Sequence, residues 1–287
     1  YSRKKFNILK QQIVDYLSEI KLHCNTIVPI AARDGQGLVE PSSKMPWYSG
    51  PTFIETLDNI PQPNSPNELP TRLPIQDIYK FDERRIIAGR IESGTLKIND
   101  TLLFSPSNKR AAVASFETWN TKEKKTKAMA GESVAIVLDE EIFIERGHVA
   151  SLADNAPIET NVFRGKVFWV GEKPMNTGDR FKMKIGTAEH IVEIESIENI
   201  IDVSNLETSN SDLIKRNDVG EAIFRTKSTI ALDSFKTNHR TGRFVLIDGY
   251  ETMGGGVVSM QGYPDQHGLY DVTSQNIIAV SSRIDNN

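Results

Sequence analysis

The chain has 287 residues, 38% of them apolar and 25% charged, with a formal net charge of −4 and a single cysteine, Cys24. That length suits two or three domains, each able to bury its own core. No run approaches the roughly 20 apolar residues of a membrane span, and the acidic balance argues against a nucleic-acid binder held mainly by phosphate contacts. One cysteine excludes an internal disulfide or a cysteine metal cage and suits a reducing cytoplasm. The opening Tyr1-Ser2-Arg3-Lys4-Lys5 carries neither an initiator Met nor a signal-type apolar run, so Tyr1 is not expected to be the natural beginning.

Residues 3–22 place Phe6, Leu9, Ile13, Leu17 and Ile20 three or four apart between Lys, Gln, Asp and Glu, which predicts an amphipathic helix. Residues 26–30 (Thr26 to Ile30) read as a β-strand and residues 31–37 as a turn. Residues 51–60 read as a second helix, opened near Pro51 and stopped by Pro61. Helix, strand, loop and helix make the second half of an α/β layer, yet a parallel strand buried on both faces needs neighbours that this segment lacks. Residues 1–60 are therefore expected to be the C-terminal part of a truncated α/β domain. Residues 61–72, with Pro61, Pro63, Pro66 and Pro70, read as a stiff linker.

From Leu73 onward short β-prone runs alternate with turn residues, the texture of antiparallel barrels. Strands are predicted over 75–79, 86–91, 95–98, 101–104, 111–116 and 133–138, with Ser93-Gly94 and Asn99-Asp100 as turns. A break at Asp154-Asn155-Ala156-Pro157 precedes a second set over 162–170, 180–185, 190–201, 220–224 and 242–247. The chain is thus expected to be multi-domain, with an α/β remnant followed by two antiparallel β-barrels, 73–157 and 158–260. Residues 261–287 read as a tail or a linker to a further domain.

Several motifs carry a family resemblance. Met45-Pro46-Trp47-Tyr48-Ser49-Gly50-Pro51-Thr52-Phe53-Ile54-Glu55-Thr56-Leu57 resembles the last loop and helix of the GTPase domain in translation-factor-type GTPases of the elongation factor Tu-like superfamily. Residues 72–79 (Arg72-Leu73-Pro74-Ile75) and 88–97 (Ala88-Gly89-Arg90-Ile91-Glu92-Ser93-Gly94) resemble the start of their second domain. Val167-Phe168-Trp169-Val170 with Glu172-Lys173-Pro174-Met175 is similar to one branch, the large (GTPase) subunits of bacterial sulfate adenylyltransferase. So are Ile201-Asp202-Val203-Ser204-Asn205-Leu206-Glu207, Asn217-Asp218-Val219-Gly220 and Thr241-Gly242-Arg243-Phe244-Val245. Together they cover about residues 1–260.

The resemblance implies a P-loop GTPase domain ahead of two translation-factor-type barrels, GTP and Mg²⁺ as cofactors of the intact protein, and a small catalytic subunit as partner. In that family GTP hydrolysis drives formation of adenosine 5′-phosphosulfate and pyrophosphate from ATP and sulfate. Some members carry a C-terminal adenylylsulfate kinase domain, and the tail at Asn276-Ile277-Ile278 loosely resembles the approach to one. It further implies a cytoplasmic enzyme with no membrane or nucleic-acid partner. Ala31, Ala32 and Arg33 match the family's guanine loop, in which a backbone N–H reaches the carbonyl oxygen of the base; Ala31 stands for the usual Ser and Arg33 for the usual Leu or Lys.

The phosphate-holding Gly-Lys-Ser/Thr loop is absent from this sequence, and the Asp-x-x-Gly switch and the Asn-Lys-x-Asp guanine reader are missing at their expected places upstream, so the chain alone is expected not to hydrolyse GTP. No catalytic residue and no metal ligand is assigned. Gly254-Gly255-Gly256 runs into Val-Val and reads as a strand or bulge needing small residues. His23, His148, His190, His239 and His267 lack metal-ligand spacing. Glu193, Glu195 and Glu198 read as a solvated strand face and residues 122–127 as a charged loop. Asn238-His239-Arg240-Thr241-Gly242-Arg243 fits either an interdomain or partner contact or a hairpin turn with charged edges. Two other function classes stay open: a translation elongation or release factor-like module binding tRNA or a protein, and a stand-alone β-barrel interaction protein.

Overall fold

The computed structural model describes residues 1–19, 22–60, 65–80, 82–118, 124–201, 208–209, 212–263 and 265–266. The start of the Pro-rich segment at 61–64, Lys122 and Glu123 of the charged run, the motif residues Asp202 to Glu207, His267 and the Asn276-Ile277-Ile278 tail lie outside the described residues. The chain divides into two compact units, Tyr1–Asn64 and Ser65–Asn287.

In the first unit, α1 (Arg3–Glu19) begins where the Ser2 hydroxyl accepts from the Lys5 N–H at 3.3 Å. Phe6 packs on Trp47 and Tyr48 with ring centroids 5.4 and 6.0 Å away. The rest of the stripe is open: Ile8, Leu9 and Ile13 remain 44–51% exposed. The short α2 (Phe53–Asp58) has a capping box, the Thr52 hydroxyl accepting from Glu55 N–H while the Glu55 carboxylate accepts from Thr52 N–H at 2.8 Å. Residues 26–30, expected as a strand, are irregular. The β-rich sequence has no neighbouring strand among the described residues of this unit, and without a ladder partner its backbone has no reason to settle as a strand.

Among its described residues the second unit contains seventeen strands: β1 (Leu73–Lys80), β2 (Arg85–Arg90), β3 (Thr95–Lys97), β4 (Thr101–Ser105), β5 (Lys109–Phe116), β6 (Lys127–Met129), β7 (Ser133–Leu138), β8 (Val149–Leu152), β9 (Ile158–Trp169), β10 (Met175–Asn176), β11 (Arg180–Ile185), β12 (Ala188–Ile201), β13 (Thr208–Ser209), β14 (Leu213–Ile214), β15 (Val219–Leu232), β16 (Arg243–Asp248) and β17 (Glu251–Val258). The first barrel closes in the order β1-β2-β7-β5-β4-β8. The second runs β11-β16-β17-β9-β15-β12 and closes through antiparallel pairing of β12 back onto β11. These are two six-stranded antiparallel barrels, and closure removes the sheet edges that would otherwise stay unpaired.

Period-two burial builds both. Along β11, Arg180, Lys182 and Lys184 face out while Phe181, Met183 and Ile185 face in. The second core gathers Phe163, Phe224 and Phe244, with mutual ring centroids of 5.2–5.6 Å, and Trp169 against Phe181 at 5.2 Å. The first gathers Leu73, Ile75, Ile91, Phe104, Val113 and Ile136 as a separate cluster. At the Ser93-Gly94 turn, Gly94 has φ of 76°, and a Cβ there would fall 2.4 Å from the Thr71 Cα. Only glycine fits that approach.

Part of the segment expected as a linker is built into the first barrel's wall. Pro66–Glu68 forms a 3₁₀ turn, and Arg72 bridges Ser93, its N–H donating to the Ser93 carbonyl at 3.0 Å. Lys127, expected in an exposed loop, starts β6 opposite Lys97, and Lys125 pairs with Glu132 at 2.7 Å.

Candidate functional site

The predicted loop lies in the first unit. Ala31 and Gln36 exchange backbone hydrogen bonds of 3.0 and 3.2 Å, closing a tight loop around a 3₁₀ turn at Ala32–Asp34. Gly35, with φ of 68°, supplies the left-handed residue that ends the turn. Ala32 and Arg33 are exposed, and their N–H groups meet no backbone acceptor among the described residues. Two adjacent donors on exposed residues are thus left without a backbone acceptor among the described residues, which suits a carbonyl oxygen of a ligand. The Asp34 carboxylate accepts the Tyr1 hydroxyl at 2.6 Å and lies 3.6 Å from Lys44 Nζ. The Tyr1 bond, then Lys44, holds its pKa below the ordinary carboxylate value. The loop offers hydrogen-bond donors and no acid–base or nucleophilic constellation.

The second arrangement, in the second unit, went unforeseen in part. Arg72 and Asp233 are about 97% buried and joined by a two-pronged ion pair, Nε to Oδ2 at 2.9 Å and Nη2 to Oδ1 at 2.8 Å. Arg72 Nη1 donates to the Thr71 and Asn155 carbonyls at 3.0 and 2.6 Å, and the Thr241 hydroxyl donates to Asp233 Oδ2 at 2.5 Å. Beside it Asn238 Nδ2 donates to Ser93 Oγ at 2.7 Å, Ser93 in turn donating to the Pro70 carbonyl at 2.6 Å. Thr187 Oγ1 donates to the Ile75 carbonyl at 2.7 Å, and Arg240 Nη1 reaches Glu92 at 3.4 Å. The segment Asn238 to Arg243 is thus a contact between the barrels, which decides the alternative its sequence left open. Sequence pattern pointed to the segment but not to its partners: Arg72 and Asp233 lie 161 residues apart, and neither sits in a run of charge.

The remaining candidates resolve as structure. Glu193 pairs with Arg180 and Glu195 with Arg225 across neighbouring strands, and Glu198 with Arg164 over the intervening β15, at 2.7–2.9 Å. These cross-strand pairs are worth about 0.2–1 kcal/mol apiece. Gly254, Gly255 and Gly256 lie within β17. His239 stacks edge-on against Phe235 at 4.6 Å. Among the described residues no group of three His, Cys, Asp or Glu side chains could hold a metal ion, and no helix is long and apolar enough to cross a membrane.

His148 and His190 are half-buried, and burial, outweighing Glu145 beside His148, pushes both below the usual histidine value of 6.5. Below pH 6.5 the unfolded chain takes up protons that these folded imidazoles refuse, so stability falls until the folded values are passed. Thermal midpoints are expected to drop between pH 7 and 5.5, and the pair of changes His148→Gln and His190→Gln to flatten that slope. An unaltered slope would remove the histidines from the account. The lowered carboxyls of Glu132 and Glu189 act in a separate window, below pH 4.5.

The barrel pair has counterparts of known fold. Residues 162–259 match the GTP-eEF1A C-terminal domain-like family. The crystal structure of sup35 complexed with GDP superposes with a TM-score of 0.62 at 22% identity, covering 90% of this chain and 65% of that one, and the complex with GMPPNP does the same. More particularly, the chain is similar to sulfate adenylyltransferase subunit 1 of Vibrio campbellii (strain ATCC BAA-1116), 28% identical over 96% of this chain and 58% of the relative. It is similar also to the Vibrio atlanticus (strain LGP32) subunit, 30% identical over 90% and 55%, and to that of Bacteroides fragilis (strain YCH46), 27% identical over 86% and 52%. The chain spans about half the length of the curated relatives it matches.

Proposed function

We propose that this chain serves sulfate activation, as the two-barrel scaffold of a GTP-regulated large subunit of sulfate adenylyltransferase. The observation that carries the reading is the similarity to subunit 1 proteins along 86–96% of the chain. In the intact cytoplasmic enzyme GTP and Mg²⁺ bind a P-loop domain, and hydrolysis drives a small catalytic subunit that converts ATP and sulfate to adenosine 5′-phosphosulfate and pyrophosphate. The open apolar stripe of α1 suits a helix that lies on a sheet this unit does not supply. With no P-loop in its sequence, the chain by itself is catalytically silent.

Within that reading the loop of Ala31, Ala32 and Arg33 holds the guanine base through the backbone N–H groups of Ala32 and Arg33, while the Ala31 N–H closes the loop onto the Gln36 carbonyl. Two features support this role: both N–H groups lack a backbone acceptor among the described residues, and the loop is closed by backbone bonds that side-chain changes leave intact. Ala32→Pro removes one donor at the first position of a helical turn, where proline fits, and Ala31, with φ of −122° and ψ of 87°, lies outside the α region that a following proline disfavours. In the full-length protein this change is expected to weaken GTP binding about 5- to 30-fold, the worth of about 1–2 kcal/mol for one such bond. Unchanged affinity in a fluorescent-GDP titration would take the loop out of the site. The assembly itself is tested by co-expressing the full-length protein with a sulfate adenylyltransferase small subunit. Co-elution in size-exclusion chromatography is expected, and separate elution counts against the proposal.

A further inference from the structure

The outward side of the second barrel carries an arrangement that borders the contact between the barrels at Arg240 and Arg243 and extends well beyond it. Strand register sets Lys184, Val245, Gly255, Phe168 and Val219 side by side across β11, β16, β17, β9 and β15. The adjacent row sets Arg243, Val257, Lys166 and Glu221, three positions of it cationic or apolar and the last acidic. An apolar strip is thereby edged with cations. It floors a groove of about 740 Å³, which meets a second of about 310 Å³ at Gly186, Arg240 and Arg243. The two grooves are lined by five cations, Lys166, Lys184, Arg90, Arg240 and Arg243, and one carboxylate, Glu92. In a chain of net charge −4 this is a concentrated reversal of sign.

Two of those cations already have carboxylate neighbours, Lys184 with Glu189 at 3.0 Å and Arg240 with Glu92 at 3.4 Å. Lys166 and Arg243 have no ion pair among the described residues. Phe168 and Val245 are 45% and 37% exposed on the strip between them. The three glycines of β17 separate packing from function. A Cβ on Gly254 would fall 2.9 Å from the Phe168 carbonyl oxygen and one on Gly256 2.5 Å from the Phe244 ring, so the barrel requires glycine at both. A Cβ on Gly255 would meet nothing closer than 4.0 Å, and its φ is not positive. The fold does not ask for glycine at 255, yet its absence of a side chain leaves the floor open to a close-lying chain.

We propose that this face docks an extended acidic polypeptide segment, its apolar side chains on Val245, Gly255 and Phe168 and its carboxylates on Lys184, Lys166 and Arg243. A protein segment is favoured over a nucleic acid because the strip is mainly aliphatic, offering Val219, Val245 and Val257 where bases would want stacking rings. The inference rests on the barrel pair and stands or falls apart from the reading of the whole enzyme.

The test is an NMR titration of the isotope-labelled chain with a short synthetic peptide of alternating glutamate and leucine, beside its lysine counterpart and an oligothymidylate. The glutamate peptide is expected to shift the amides of Phe168, Val245 and Gly255, with affinity falling at least about tenfold in the Lys166→Glu, Arg243→Glu double variant. Gly255→Phe is expected to block binding while leaving the thermal midpoint in place, and should that variant fail to fold, the charge-reversal pair carries the test alone. Shifts produced by oligothymidylate and not by the peptide would overturn the proposal in favour of phosphate recognition. Shifts elsewhere, or an equal response to the lysine peptide, would overturn it outright.

Discussion

Replacing Arg72 by methionine with Asp233 left in place is expected to destabilise the barrel pair by about 3–5 kcal/mol, because it strands a buried carboxylate. Among the described residues the aspartate keeps only the Thr241 hydroxyl as a side-chain partner, having lost both prongs of the guanidinium. The Thr71 and Asn155 carbonyls lose their donors in the same step. The companion double change, Arg72→Met with Asp233→Leu, is expected to recover much of the loss, since a buried pair replaced as a whole by apolar groups is often near neutral. Urea denaturation followed by tryptophan fluorescence reads both variants. A single-variant loss below about 1 kcal/mol would mean that water reaches the pair and that the junction is weaker than its geometry implies.

Trp169→Ala is expected to cost about 3–5 kcal/mol in the second barrel, the range for deleting a buried aromatic. Trp169 is fully buried, packs edge-on against Phe181 at 5.2 Å and donates its indole N–H to the Lys173 carbonyl at 2.7 Å. That bond ties the loop before β10 to the end of β9. Trp169→Phe keeps most of the ring area and loses the bond, so its expected cost is smaller, about 1–2 kcal/mol. Equal costs for the two variants would show that the hydrogen bond, rather than packing, dominates at this site.

The barrels were largely legible in sequence, because alternation along runs such as Arg180–Ile185 is a local signal that closure preserves. β8 escaped because Val149–Leu152 is short and mixes Ala and Ser with its apolar ends. β6 escaped because it starts on Lys127, the end of a charged run. The strand expected at residues 26–30 failed for a different reason: β-propensity describes a fit to a pleated, paired surface, and no pairing strand is described in that unit. Of the candidate site, the loop at Ala31, Ala32 and Arg33 was reached through family motifs, since alanines announce no chemistry of their own. The buried junction was half legible. Asn238 to Arg243 drew notice as a basic turn, whereas Arg72 and Asp233 meet only through tertiary structure, which no local pattern encodes.

The central claim, a role in sulfate activation, is tested most directly by purifying the full-length protein with its small subunit and following pyrophosphate release from ATP and sulfate with and without GTP. The expected result is release that needs both subunits and rises strongly when GTP is present. Release indifferent to GTP, or none from the assembled pair alongside salt-sensitive retention of tRNA in a filter-binding assay, would contradict it and return the chain to the translation-factor class.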